Sequence, residues 1–96
     1  MKMQTSELQG SALDWAVARL ECFDNGDWMP DYCTDWAAGG PIIEREHIEL
    51  EWSGQDWIAV TRADEEFFGF TPLIAAMRCY VASKLGDEVE IPEEVK

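Results

Sequence analysis

The alternation of apolar and polar positions is clearest over residues 71–86, TPLIAAMRCYVASKLG. Leu73, Ile74, Met77, Tyr80, Val81 and Leu85 recur at helical spacing and share one broad face, with Arg78, Ser83 and Lys84 off its centre. Thr71 suits the capping position, Pro72 the first helical position and Gly86 a left-handed stop. The spacing therefore predicts a helix with one side turned to the core and Cys79 semi-buried on its flank. A second helical stripe, Leu13, Val17 and Leu20, widened by Trp15, Ala16 and Ala18, predicts a helix over 11–22, with Ser11 and Asp14 as a shortened capping box. The period changes to two in HIELEW, residues 47–52, where Ile48, Leu50 and Trp52 alternate with Glu49 and Glu51. This is the clearest strand, with one face for the core and the other acidic. SGQD then turns the chain into WIAVT, residues 57–61, and the two runs read as a hairpin.

The remaining segments are read from weaker signals. Residues 1–5 alternate faintly, and Val89 and Ile91 alternate with Glu88 and Glu90 before Pro92, which predicts a short edge strand extending the hairpin. Residues 23–34, FDNGDWMPDYCT, carry Asn25-Gly26 and Pro30 and read as a loop. Thr34 or Asp35 caps a short turn around Trp36 that Gly39-Gly40 ends, and Pro41 opens a second short helix, PIIERE. Residues 62–70, RADEEFFGF, are expected to be a connecting loop whose Phe67, Phe68 and Phe70 tuck inward. Together these elements predict an α+β fold. Two main helices pack on a small antiparallel sheet built around the hairpin, with short helical turns in the middle. The 96 residues are expected to form a single domain, with 92–96 a frayed tail.

Charge narrows the partners. Twenty acidic residues against seven basic ones leave a formal charge of −13. Phosphate recognition draws on Lys and Arg, and anionic membranes attract basic patches, so neither nucleic acid nor membrane is an expected partner. The expected partner is basic where it meets the carboxylates, or indifferent to charge. No apolar run reaches the ~18 residues of a membrane span, and MKMQTSELQG lacks a hydrophobic signal region, so the chain is expected in the cytoplasm. Of five tryptophans, about three are expected in so small a core.

Catalytic and metal chemistry have few candidates. Cys22, Cys33 and Cys79 are widely spaced and form no CxxC pair, and with His47 they lack zinc-ligand spacing. Asp24, Asn25 and Asp27 miss the calcium-loop pattern, and Gly39-Gly40 precedes glutamates where a phosphate loop has lysine. His47, the single histidine, could serve as a base oriented by Glu44 or Glu46, but no nucleophile motif stands beside it and it reads better as a partly exposed histidine at an element boundary. No catalytic residue, metal ligand or cofactor is assigned. Candidate partner-binding residues are Trp28 and Tyr32, as an aromatic patch on the acidic loop, with the carboxylates Glu49, Glu51, Asp64, Glu65 and Glu66.

Three blocks carry a resemblance: TSELQGSALDWAVA, TDWAAGGPIIERE and TPLIAAMRCYVASKLGDEVEIPEE. In combination they resemble the NinX-like family of small phage and prophage proteins, over nearly the whole chain. The resemblance implies an accessory protein made in the bacterial cytoplasm, and it transfers no site residue. The leading expectation is a non-enzymatic acidic module that binds and modulates a host or phage protein. A DNA mimic, in which Glu44, Glu46, Glu49, Glu51, Asp64, Glu65 and Glu66 imitate phosphates, is the first alternative. A small enzyme or metal-dependent protein using His47 is the second.

Overall fold

The computed structural model describes residues 2–21, 30–61 and 64–92. Their fold is α+β, in the order β1 (Lys2–Gln4), a 3-10 turn (Thr5–Glu7), α1 (Gly10–Leu20), α2 (Trp36–Glu46), β2 (Glu49–Trp52), β3 (Trp57–Val60), β4 (Glu66–Gly69), α3 (Pro72–Leu85) and β5 (Glu88–Glu90). Helix α3 begins as its sequence predicts, with Thr71 Oγ1 accepting the Ile74 amide at 3.1 Å and Pro72 in the first turn. It is covered on more than one side. Leu73, Ala75, Ala76, Met77, Cys79, Tyr80 and Val81 are all buried, because α1 and α2 pack on α3 as well as the sheet. Leu85, expected in the core, is exposed near the last turn.

The predicted hairpin is β2–β3, with Leu50 opposite Ala59 and Trp52 opposite Trp57. Residues 62–70, expected as a loop, supply a third strand: β4 pairs antiparallel with β3, placing Phe67 opposite Ala59 and Phe68 opposite Ile58. Strand alternation explains the phenylalanines. Phe67 packs against the core, while Phe68 points away and Phe70 beyond the strand is 80% exposed. Gly69 serves close approach, since a Cβ there would lie 2.6 Å from the Ala75 backbone nitrogen in the first turns of α3.

The terminal strand does not extend the hairpin. β5 pairs with β1 in a separate two-stranded sheet, Met3 opposite Val89. Buried Thr5 fastens this ribbon to the end of α3, its amide donating to the Asp87 carbonyl at 2.7 Å and its hydroxyl to the Gly86 carbonyl at 2.6 Å. The ribbon brings Val89 into the core, with β5 against α3, and Ile91 just beyond the strand is buried in the same core.

Two helical expectations are corrected. α1 starts at Gly10 after an uncapped Gln9, and Asp14 lies buried within it, where its Oδ1 accepts the Cys33 amide at 2.9 Å. The acid thus ties α1 to the segment before α2 instead of closing a capping box, and burial raises its pKa. The two short helices expected around Gly39-Gly40 are one continuous helix, α2, capped by the Asp35 side chain on the Ala37 amide. Gly39 does not end it: a Cβ there would lie 2.5 Å from the Tyr32 carbonyl oxygen and 2.7 Å from Leu73, so this glycine lets α2 cross close to both. Pro41 leaves the Ala37 carbonyl without its helical donor, and Ala37 is exposed, where water can satisfy it. The helix closes at His47 with φ 56°, where the Ile48 amide donates to the Ile43 carbonyl.

The tryptophans divide differently from expectation. Trp15 and Trp57 pack partly against the core, Trp36 and Trp52 are more than half exposed, and Trp28 lies outside the described residues. Small residues explain why: Ala12, Ala16, Ala18, Ala59, Ala75 and Ala76 let backbones approach closely and leave little room for indole rings.

Candidate functional site: the outer face of the sheet

The register of β2, β3 and β4 sorts their side chains into two layers. Leu50, Ala59 and Phe67 form one row and Trp52, Trp57 and Gly69 the next, on the side where α3 lies. Trp52 and Trp57 meet at the open end of this layer, ring centroids 5.4 Å apart. On the opposite side the rows are Glu49, Val60, Glu66 and Glu51, Ile58, Phe68. Ile58 and Val60 are partly exposed, and Phe68 and the three glutamates are exposed. The result is an apolar stripe running obliquely across the face, with carboxylates on both edge strands.

Three of the carboxylates singled out from sequence, Glu49, Glu51 and Glu66, therefore share one surface. Glu65 and Asp64 do not join them. Glu65 is one residue out of phase and borders a cavity on the α3 side, and Asp64 occupies the β3–β4 turn with φ 63°. Tyr32 is corrected outright as a surface contact: it is only 6% exposed, enclosed where α2 passes over its backbone. Trp28, its proposed companion, lies outside the described residues. The members that sequence reasoning missed are Ile58, Val60 and Phe68. Their signal was the register, since any residue opposite Glu49 or Glu51 must share the acidic side.

The cavity on the other side measures about 510 Å³ and is bordered by Arg45, Glu46, Ile48, Thr61, Glu65, Cys79, Tyr80, Ser83 and Lys84. Its cations are engaged. Arg45 donates to both carboxylate oxygens of Glu21, at 3.0 and 2.7 Å, and to Glu46 at 2.9 Å, while Lys84 reaches Glu46 at 3.4 Å. The Tyr80 hydroxyl donates to Glu21 at 2.5 Å and accepts from Arg45 at 3.0 Å, with the guanidinium 5.6 Å from its ring centre. The bond from Arg45 holds the Glu21 carboxyl below its ordinary pKa, and burial together with Glu21 pushes the tyrosine up. This network joins the end of α1 to α2 and α3. Cys79 at its floor and Cys33 beside Asp14 are buried, which pushes each thiol up to about 12 and leaves it protonated at neutral pH. His47 is exposed at the end of α2, ahead of the strand in which it was expected.

A protein-family model described as "Bacteriophage P22, NinX" matches residues 25–84, more than half of the chain. The chain belongs to this phage protein family. The match takes in α2, the three-stranded sheet with its acidic face and nearly all of α3. The first helix and the β1–β5 ribbon lie outside it, so the match is shorter than the nearly whole-chain resemblance expected from the sequence. No curated protein matches the chain. Among the described residues, no helix is long and apolar enough to cross a membrane.

Proposed function

We propose that this phage protein is a non-enzymatic, acidic protein-binding module that modulates a host or phage protein through the outer face of its sheet. The observation that carries the reading is the pairing of Ile58, Val60 and Phe68 with Glu49, Glu51 and Glu66 on one exposed surface. A partner with apolar side chains ringed by Lys or Arg complements both parts. Burial of the stripe supplies affinity, and the glutamates steer encounter and reject acidic competitors. DNA mimicry asks for carboxylates without an apolar centre, and here Glu46 is turned to Arg45 and Lys84 and Glu65 to the cavity. The apolar contact is accordingly the main component of the proposed interface.

The test is retrieval of partners by tagged protein from infected or prophage-bearing cells, at low and high salt. One stoichiometric partner is expected. It should be lost from the double variant Ile58→Ser/Phe68→Ser and weakened in the triple variant Glu49→Gln/Glu51→Gln/Glu66→Gln, with binding persisting in part at high salt. Full retention of the partner by both variants, each folded, would remove this face from the interface. A steep loss with salt that ignores the apolar variant would favour DNA mimicry.

A further inference from the structure

The two edges of the three-stranded sheet end differently. The turn bond from the Ser53 amide to the Asp56 carbonyl at 3.0 Å sets the phase of the β2–β3 ladder. Counting back by twos, Glu51 and Glu49 exchange their main-chain bonds with Ile58 and Val60, so the N–H and C=O groups of Leu50 and Trp52 point away from the sheet. The Thr61 amide, donating to the Glu65 carbonyl at 3.1 Å, sets the phase of β3–β4 in the same way and turns the Glu66 and Phe68 main-chain groups outward on the other edge. That edge is bridged at Phe68. Arg78, reaching out of α3, donates to the Phe68 carbonyl at 2.7 Å and to the Leu8 carbonyl at 2.7 Å, clamping β4 to the segment before α1. On the β2 edge, no described residue bonds to the outward groups of Leu50 or Trp52.

We infer that the β2 edge is the docking line for an extended, basic segment of a partner, which joins the sheet as a fourth strand. The inference rests on the binding-module reading above and names its mode of recognition. An added strand pairs with the outward groups of Leu50 and Trp52, and its side chains alternate with the pleat. Those beside Glu49 and Glu51 lie on the acidic face, where Lys or Arg is complementary. Those beside Leu50 and Trp52 lie on the α3 side, where the exposed Trp52 ring offers apolar contact. The segment this edge fits therefore alternates basic and apolar residues. A second copy of the chain does not fit: each carries a charge of −13, and antiparallel β2–β2 pairing would set Glu49 and Glu51 against their own counterparts. The same two glutamates that discourage self-pairing select a basic strand.

The probe is a capped octapeptide of alternating Lys and Val, compared at low salt with a block peptide of four Lys followed by four Val. Amide exchange and chemical shifts are read residue by residue on the full-length protein. The alternating peptide should slow exchange of the Leu50 and Trp52 amides by at least about tenfold at saturation, and the block peptide should not. Trp52→Pro removes an outward donor without touching the β2–β3 ladder, and it should weaken the alternating peptide by about tenfold relative to Trp52→Ala, which keeps the donor. Unchanged exchange at Leu50 and Trp52 would overturn edge docking. Shifts confined to Ile58, Val60 and Phe68 would also overturn it while leaving the face reading standing, and loss of that reading is seen separately in partner retrieval by the face variants.

Discussion

Beneath α3, the inner layer of the sheet sets Ala59, with no exposed surface, between Leu50 and Phe67; one residue along the same strands, the outer layer sets Ile58 between Glu51 and Phe68. The backbone is common to both, so the contrast lies in what each layer faces. The inner layer meets a helix at close range and accepts small or apolar side chains. The outer layer has no described element against it and carries an apolar stripe among carboxylates, a composition that burial of the inner face does not require. Residues needed for folding and residues available for recognition are thus interleaved one by one along 57–60 and 66–69.

The sharpest way to break this comparison is a carboxylate on each layer of β3. Ala59→Asp buries a charge under α3 without a partner and should cost more than about 3 kcal/mol, enough to remove the cooperative thermal transition of a small domain. Ile58→Asp, its neighbour, should leave the protein folded with a loss below about 1 kcal/mol in urea denaturation. Equal effects would mean that the two layers are not distinct.

Next in size is Gly69→Ala. Its new methyl would press on the Ala75 backbone, which cannot rotate away, so a loss of about 1–3 kcal/mol is expected. The adjacent Phe68→Ala, a far larger truncation by volume, should change stability by only about 0.5 kcal/mol because its ring already faces solvent. Chemical denaturation of the pair gives the ordering directly.

The smallest effect separates a carboxylate of the fold from those of the face. Glu21, bonded to Arg45 and Tyr80, has a folded pKa below its ordinary value of 4.5. Its ionised form is favoured in the native state, so its contribution is present above the unfolded pKa and is lost as pH falls through the folded one. Glu21→Gln should reduce stability at neutral pH and flatten the acid limb of the stability profile below about pH 4.5. An acid limb unchanged in slope would remove this pair from the pH dependence.

Local signals were legible where they needed no partner. The cap at Thr71, the Pro72 start, the alternation of 48–52 and the four-residue turn at Ser53–Asp56 all rest on interactions within a few residues, and each is present. The third strand was not legible, because EFFG is too short to show a period and its pairing depends on β3. Gly39 read as a helix terminator, yet its role is set by Tyr32 and Leu73 arriving from elsewhere in the chain. Half of the candidate face was readable, in Glu49, Glu51 and Glu66. Tyr32 was misplaced because an aromatic in a polar loop looks exposed until a helix is laid over it.

By itself, then, the sequence determined the acidic character, the helix 72–85, the central hairpin and, over residues 25–84, the phage family. Tertiary structure decided which carboxylates converge, which sheet edge Arg78 bridges and which terminal segments pair in the β1–β5 ribbon. The physical reason is range: capping and side-chain periodicity act within a turn or a strand, whereas a shared face, a bridged edge and a buried loop aromatic exist only after distant segments have packed together.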